Sequence, residues 1–179
     1  MEKETSNRLL DLSGVEETAL LTLYAKALES QSKNPILKDE KAEALVKHLD
    51  PLLSQRGTKM ARQLVNRSID PRLVVHLSLR AKKYDDYTKG FLAEYPHAAV
   101  VNAGCGLDTR FFRIDNGTVK FFDLDLPPMI AFKQSLLDET DRYHMIGQSI
   151  LDLTWMAQVE NLNQPVLLLF EGVLMYLPE

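Results

Sequence analysis

The sequence predicts an α/β fold in which a helical region precedes a parallel sheet. Before Pro96, apolar residues recur at intervals of three and four, the period of an amphipathic helix. After Pro96, short apolar runs alternate with helical stretches, which is the pattern of βαβ units. With 45% hydrophobic residues among 179, the chain has enough apolar material for a sizeable core. We therefore expect a helical amino-terminal cap over residues 1–95 and a three-layer α/β region over residues 96–179.

Four helices are predicted in the amino-terminal region. Ser13 and Glu16 have the spacing of a capping box, and Asp39 is placed to cap the second helix. Asp50-Pro51 is expected to end that helix, because a proline inside a helix removes a backbone donor and clashes with the preceding turn. The predicted helices cover residues 13–28, 39–49, 58–66 and 70–92.

Four short apolar runs in the second region predict strands, of which the third is weak and the first, continuously apolar, is expected to be buried on both faces. They cover residues 98–103, 119–124, 143–146 and 166–170, and helices are predicted over residues 127–138 and 150–159. The chain ends at Glu179, soon after the fourth run. A central strand left bare on one side exposes unpaired backbone groups. We therefore expect a fragment truncated after the fourth strand, or a homo-oligomer in which a second copy covers that edge, and we favour the fragment.

Composition argues against several classes of function. The formal net charge is −4 and no basic tract is present, so no nucleic-acid partner is expected. The apolar runs are far shorter than the roughly 20 residues of a membrane-spanning helix. The charged amino terminus does not resemble a signal peptide, so we expect a cytoplasmic protein without a membrane partner. One cysteine and four scattered histidines predict no metal site.

The most informative local pattern is a glycine turn, formed by Gly104, Cys105 and Gly106, directly after the first predicted strand. In open α/β sheets, ligands bind beyond the carboxyl ends of the strands, and glycine lets the backbone approach them closely. This turn therefore predicts a ligand site. A plain tight turn with no ligand is the alternative that the residues leave open.

Two carboxylates near the end of the second strand suggest a nucleoside ligand. Asp123 and Asp125 lie on the same side of the strand by alternation, and an acid in this place accepts ribose hydroxyls. For Asp125, the cap of a following helix is the alternative. Asp108 lies beyond the glycine turn, where it would repel a pyrophosphate but not the sulfonium and amino groups of S-adenosylmethionine. The residues thus favour a methyl donor over NAD.

Four stretches resemble, in the correct order, motifs of the leucine carboxyl methyltransferase family, which includes polyketide O-methyltransferases of the tetracenomycin-pathway type. The run from Asn102 to Arg110 is similar to the signature GxGLDTR of that family. Residues 80–87 resemble its helix before the first strand, residues 122–127 its (D/E)xDxP stretch, and residues 170–177 its (E)GVLxYL stretch. The resemblance implies a class I methyltransferase fold, which is Rossmann-like, with S-adenosylmethionine as cofactor. It also implies further strands, beyond Glu179, that complete the sheet in the family.

The resemblance implies roles for the residues around the methyl donor. Arg80 would hold the carboxylate of the donor, because a guanidinium grips a carboxylate with two parallel hydrogen bonds. Gly104 and Gly106 would let the backbone approach the methionine part. Asp125 would accept hydrogen bonds from the ribose hydroxyls, with Asp123 as the second choice.

The remaining implied roles lie after the third and fourth strands. Asp152 and Leu153 would meet the adenine, Glu171 would close the donor pocket, and Tyr176 would line the methyl-transfer cleft. We therefore expect an S-adenosylmethionine-dependent O-methyltransferase that acts on a carboxylate or hydroxyl of a small, polyketide-like acceptor. The alternatives are a non-catalytic or truncated S-adenosylmethionine-binding module and, third, an NAD-dependent oxidoreductase.

Overall fold

The structure is a computed structural model that describes residues 14–160 and 163–177. Contacts divide the chain into two units, Met1–Lys83 with Leu107–Arg113 and Tyr84–Gly106 with Ile114–Glu179. The first unit is helical, and the second contains a four-stranded sheet. Among the described residues, no helix is both long enough and apolar enough to cross a membrane.

The first unit is built from α1 (Gly14–Ser30), α2 (Glu40–Arg56), α3 (Lys59–Val65) and the first part of α4 (Pro71–Glu94). α1 packs against α2, and α3 packs against both. Apolar side chains at helical spacing lie on one side of α2 and of α3, whereas α1 is buried all round from Leu23 to Ala27. The largest buried apolar side chains of these helices include Leu20, Leu23, Tyr24, Leu45, Leu49, Leu53 and Leu64.

Side-chain caps begin two of these helices. The prediction that Asp39 caps α2 is confirmed, because its carboxylate accepts a hydrogen bond from the N–H of Ala42 at 2.9 Å. The hydroxyl of Thr58 likewise accepts from the N–H of Ala61 at 3.1 Å and begins α3. These caps satisfy backbone donors that have no partner inside the helix. The predicted cap at Ser13 lies outside the described residues.

The prediction that α2 ends at Asp50-Pro51 is wrong, because the helix continues through Pro51 to Arg56. A proline inside a helix costs about 3 kcal/mol. However, Leu49 and Leu53 lie one turn apart on the same face and are both fully buried. Burial of a leucine side chain contributes about 1.5–3 kcal/mol, so packing of the last turn offsets much of the cost of Pro51. The helix ends instead at Gly57, whose φ of 65° is left-handed.

The second unit contains β1 (Ala99–Ala103), β2 (Lys120–Asp125), β3 (Tyr143–Gly147) and β4 (Val166–Phe170). All paired strands are parallel, in the order β3-β2-β1-β4, which confirms the predicted parallel sheet. Every residue of β1 is buried. After β3 the chain crosses to the other side of β1 before it forms β4, so the strand order reverses beside β1. The carboxyl end of β1 is therefore the switch point at which such sheets bind ligands.

Helical segments cover both faces of the sheet, as the predicted three-layer arrangement requires. On one face, α6 (Pro127–Gln134) packs against β2 and β3. On the other face, a 3-10 helix (Leu153–Met156) and α7 (Ala157–Glu160) place Trp155 and Val159 against the sheet. The buried strand residues of that apolar cluster are Ala99, Val101, Ala103, Phe122, Leu124 and Ile146.

Two helix predictions after β2 are wrong in extent. α6 ends at Gln134 rather than near residue 138, where the N–H groups of Ser135 and Leu136 donate three residues back, to the carbonyls of Phe132 and Lys133. The helix predicted over residues 150–159 is replaced by the two short segments described above. The first of them begins after Asp152, whose carboxylate accepts a hydrogen bond from the N–H of Thr154. A short helix, α5 (Arg110–Ile114), follows the glycine turn.

Candidate functional site

The glycine turn follows β1 at the switch point of the sheet. Gly104 and Gly106 have φ values of 65° and 48°, a left-handed conformation that glycine adopts without strain. The N–H groups of Gly104 and Cys105 both donate to the carbonyl of Leu124, at 2.8 and 3.2 Å. These two hydrogen bonds fasten the turn to the end of β2.

Gly104 also packs against the segment that follows β4. A Cβ atom at this position would lie 2.4 Å from Cγ2 of Val173, a separation that real Cβ atoms essentially never show. Glycine at position 104 is therefore required by its backbone conformation and by this contact. The predicted approach of a ligand to Gly104 stays a prediction.

Asp125 ends β2 and binds the far side of the glycine turn. Its Oδ2 accepts a hydrogen bond from the N–H of Gly106 at 2.7 Å, and its Oδ1 accepts one from the N–H of Leu126 at 2.7 Å. Burial raises the pKa of Asp125, while the two backbone N–H groups and Lys133 act in the opposite direction. The side chain is only partly buried, and each carboxylate oxygen can accept a second hydrogen bond. Asp125 can therefore receive further donors from a ligand.

Asp123 lies on the same face of β2 but is fully buried. Its Oδ2 is 2.6 Å from Nζ of Lys133 and accepts the hydroxyl of Tyr143 at 2.6 Å, and its Oδ1 accepts the amide of Asn102 at 3.0 Å. We call these four residues the Asp123 network. None of them is more than 2% exposed. The structure therefore separates the two acids, with Asp125 at the edge of the sheet and Asp123 beneath it.

The protonation states of the Asp123 network follow from its burial. Burial lowers the pKa of Lys133, but the attraction of Asp123 outweighs it and holds that pKa well above its ordinary value. Burial raises the pKa of the Tyr143 phenol. Lys133 therefore stays charged and Tyr143 stays neutral at physiological pH, so both donate to Asp123.

The residues after β3 are exposed at the same edge of the sheet. The Asp152 carboxylate accepts hydrogen bonds from the N–H of Thr154 at 3.2 Å and from its hydroxyl at 2.8 Å. Hydrogen bonds from Gln148 and Thr154 lower the pKa of Asp152. Leu153 is 64% exposed, and Leu126, which follows β2, is 53% exposed. Two apolar side chains are thus available beyond the ends of β2 and β3.

The segment after β4 carries the last two residues that the sequence analysis identified. Glu171 follows β4 directly and is partly buried. The hydroxyl of Tyr84 donates to the carbonyl of Phe170 at 2.9 Å and supports the end of this strand. Tyr176 ends a 3-10 helix (Leu174–Tyr176) and is 60% exposed. Candidate residues from all four strand ends therefore lie along the carboxyl edge of one sheet.

Arg80 and Asp108 lie in the first unit, and Arg80 is a partly buried residue of α4. Asp108 pairs with Lys26 at 2.6 Å, Arg110 at 3.1 Å and Arg113 at 3.4 Å. Burial raises the pKa of Asp108, but these three cations outweigh burial and hold that pKa well below its usual value. Because three cations compensate its charge, Asp108 is weak support for a methyl donor over a pyrophosphate, and that discrimination stays a prediction.

Asn102, Lys133 and Tyr143 are site residues that the sequence alone did not predict. A signal existed for the first two, because each is a polar residue in an apolar pattern. Asn102 interrupts the buried run of β1, and Lys133 lies one turn after Met129 and Ile130 on the buried face of α6. A polar side chain in such a position needs a partner, and an acid in the neighbouring strand supplies one.

Comparison with known proteins identifies the family of this chain. The leucine carboxyl methyltransferase family matches residues 19–179. The chain belongs to this family. The tetracenomycin polyketide synthesis O-methyltransferase TcmP from Streptomyces glaucescens is 38% identical over 169 residues, which are 94% of this chain and 58% of that protein. The S-adenosyl-L-methionine-dependent methyltransferase dpfgK from Gibberella zeae is 29% identical over 174 residues, which are 93% of this chain and 57% of that protein.

Family membership confirms the resemblance read from the four motifs. The parallel sheet with helices on both faces is the class I methyltransferase fold that the resemblance implied. The chain spans less than two thirds of the length of the curated relatives it matches. Its similarity to them is spread over nearly all of its own residues.

Proposed function

We propose that this chain forms the methyl-donor-binding part of an S-adenosylmethionine-dependent O-methyltransferase. The observation that carries the proposal is the hydrogen bond of 2.7 Å between the N–H of Gly106 and Asp125. It joins the glycine turn to a partly exposed carboxylate at the switch point, where such sheets bind nucleotide-like ligands. The names of both relatives above, one an O-methyltransferase and one an S-adenosyl-L-methionine-dependent methyltransferase, support it.

The residues at the carboxyl edge fit the nucleoside half of S-adenosylmethionine. Asp125 is partly exposed and its carboxylate can accept further hydrogen bonds from the ribose hydroxyls, whereas Asp123 is fully buried. We therefore assign the ribose to Asp125 rather than to Asp123. Leu126 and Leu153 offer exposed apolar surface for the two faces of an adenine. Asp152, beside Leu153, is an acceptor for its amino group.

The amino-acid half is assigned to the glycine turn and to two charged residues. Gly104 and Gly106 have no side chain to obstruct the methionine part. Glu171 carries a negative charge after β4 and suits the ammonium and sulfonium charges of the methyl donor. We assign its carboxylate to Arg80, and the support for that assignment is the motif resemblance around residues 80–87.

The chemistry that S-adenosylmethionine supplies is a methyl group already activated by its sulfonium. The work of the protein is then to align the acceptor oxygen with the methyl carbon and the sulfur, and to exclude water. A carboxylate acceptor is ionised at neutral pH and needs no base, whereas a hydroxyl acceptor benefits from one. We propose a small, polyketide-like acceptor that Tyr176 contacts, and the printed name of TcmP supports this choice.

A calorimetric titration tests the proposal. The chain should bind S-adenosylmethionine saturably and should not bind NADH. Asp125→Ala should weaken binding about tenfold or more, because a lost hydrogen bond to a charged group is worth about one to two powers of ten. Arg80→Ala should weaken it as well. Asp115→Ala, which removes a surface carboxylate paired with Arg142, is the matched control and should bind normally.

Three outcomes would contradict or limit the proposal. A folded chain that binds no S-adenosylmethionine contradicts it, and a chain that binds NADH instead favours an oxidoreductase. Binding without methyl transfer to small carboxylates and phenols favours a non-catalytic binding module.

A further inference from the structure

The Asp123 network lies directly beneath the carboxylate assigned to the ribose. Asp123 and Asp125 are two positions apart on the same face of β2, and α6 packs on that face. Lys133 of α6 reaches Asp123 at 2.6 Å and is fully buried. A buried ammonium is costly unless it is paired and hydrogen-bonded, so its presence here needs a reason beyond filling space.

The network holds β2 from three neighbouring elements at one point. Asn102 reaches Asp123 from β1, Tyr143 reaches it from β3, and Lys133 reaches it from α6. β2 therefore has little freedom to shift or twist at Asp123. Asp125 lies only two residues further on, so its position is fixed as well, and this maintains its hydrogen bond to the glycine turn.

Lys133 also balances charge around Asp125. The groups that act on the Asp125 carboxyl are the N–H groups of Gly106 and Leu126, the positive charge of Lys133 and the negative charge of Asp123. The N–H groups and Lys133 favour the ionised carboxylate, and Asp123 opposes it. Without Lys133, the charge of Asp123 would act on Asp125 uncompensated.

We propose that Lys133 is a positioning residue for the methyl donor, which acts through Asp123 to fix the end of β2 so that Asp125 receives the ribose hydroxyls. The inference rests on the proposed function, because it concerns the same donor site. It assigns no contact between Lys133 and the methyl donor itself.

The first test is a double-mutant cycle on S-adenosylmethionine affinity. Lys133→Met alone leaves a buried unpaired charge, so the main variant is the pair Lys133→Met with Asp123→Asn, which removes both charges. This variant should bind about tenfold more weakly than the wild type. In an Asp125→Ala background, the same pair should change affinity less than about twofold, because Lys133 acts through Asp125.

The second test is the pH dependence of binding, which a purely structural role would not shift. Binding should fall as the pH drops through the pKa of Asp125, since only the carboxylate accepts both hydroxyls. In Lys133→Met the loss of the cation raises the pKa of Asp125, so binding should begin to fall at a higher pH than in the wild type. In the double variant without both charges, Lys133→Met with Asp123→Asn, the pH at which binding falls should return towards the wild-type value. Arg142→Gln, next to Tyr143 in sequence but at the surface, is the matched control for both tests.

The outcomes separate this inference from the proposed function. If the wild-type chain does not bind S-adenosylmethionine, both fall. If the wild type binds and Asp125→Ala binds weakly, but the double variant without both charges binds like the wild type, only the role of Lys133 is overturned. A loss that is equally large in the Asp125→Ala background also overturns it, because additivity indicates general destabilisation.

Discussion

A tyrosine, an aspartate and a cation form a triad in each of the two units. The first triad is Tyr24, Asp50 and Arg67, and the second is Tyr143, Asp123 and Lys133. In the first, the tyrosine hydroxyl and the cation lie 2.9 and 2.6 Å from the carboxylate, and in the second both lie at 2.6 Å. The triads differ in burial. The cation and carboxylate are 31% and 27% exposed in the first, but 0% and 2% in the second.

This difference shows that surroundings, rather than the groups themselves, decide what a triad does. Near solvent, an ion pair is weakened by water and salt and contributes about 0–1 kcal/mol. Inside a sheet, each partner is stable only because the other is present, and removal of one leaves an uncompensated charge that costs about 3–5 kcal/mol. We therefore expect the Tyr24 triad to contribute little to stability and the Asp123 triad to be essential for the stability of the structure around it.

The largest expected effect is a contrast between the two cations. Lys133→Met should lower the free energy of unfolding by about 3–5 kcal/mol, because Asp123 is left buried without its cation. Arg67→Met should lower it by about 1 kcal/mol, because water replaces the lost cation at Asp50. Urea denaturation of both variants measures the contrast. Equal losses would show that burial is not the deciding variable.

Two glycines offer the same contrast between an open and a tightly packed position, here in the backbone. Gly57 and Gly104 both have a φ of 65°, but a Cβ at Gly57 meets nothing within 4 Å, whereas one at Gly104 meets Val173. Gly57→Ala should cost about 1–2 kcal/mol from the left-handed conformation alone. Gly104→Ala should cost about 1–3 kcal/mol more, because Val173 must move. The midpoints of chemical unfolding measure both, and equal costs would mean that Val173 yields freely.

The two tyrosine hydroxyls should differ less than the cations. Tyr143→Phe should destabilise the protein by about 2 kcal/mol, because a buried carboxylate loses a charge-assisted hydrogen bond. Tyr24→Phe should cost about 1 kcal/mol or less, since Asp50 is partly solvated. Thermal unfolding of the matched pair checks this order. A reversed order would contradict the comparison.

The smallest effect is expected at a surface pair, Arg142 with Asp115. The hydrogen bond from Arg142 holds the pKa of Asp115 below its ordinary value. The pair therefore stabilises the fold above the ordinary pKa of an aspartate, and this contribution disappears as the pH falls through the lowered pKa. Arg142→Gln should cause a small loss of stability at neutral pH and none in acid, and the loss should be smaller still at high salt. Urea denaturation at several pH values tests this, and a pH-independent loss would contradict it.

Local patterns in the sequence determined most of the fold, and they predict where the methyl donor binds. Helical periodicity predicts the helices of the first unit, and short apolar runs predict all four strands, because both patterns follow from which side chains one element can bury. Gly104, Gly106 and the four motifs predict a methyl-donor site at the switch point and the family. These features depend on backbone geometry and on neighbours that are close along the chain.

Only the tertiary structure decided which of the polar residues are buried. Alternation places Asp123 and Asp125 on the same side of β2, so alternation alone cannot tell the buried acid from the one at the edge. That distinction depends on Lys133 and Tyr143, which lie in other elements and come together only when α6 packs on the sheet. For the same reason α2 continues through Pro51, since burial of its last turn opposes a local rule. Contacts between distant segments determine which groups are buried, and burial determines how strongly each charged group interacts with its partners.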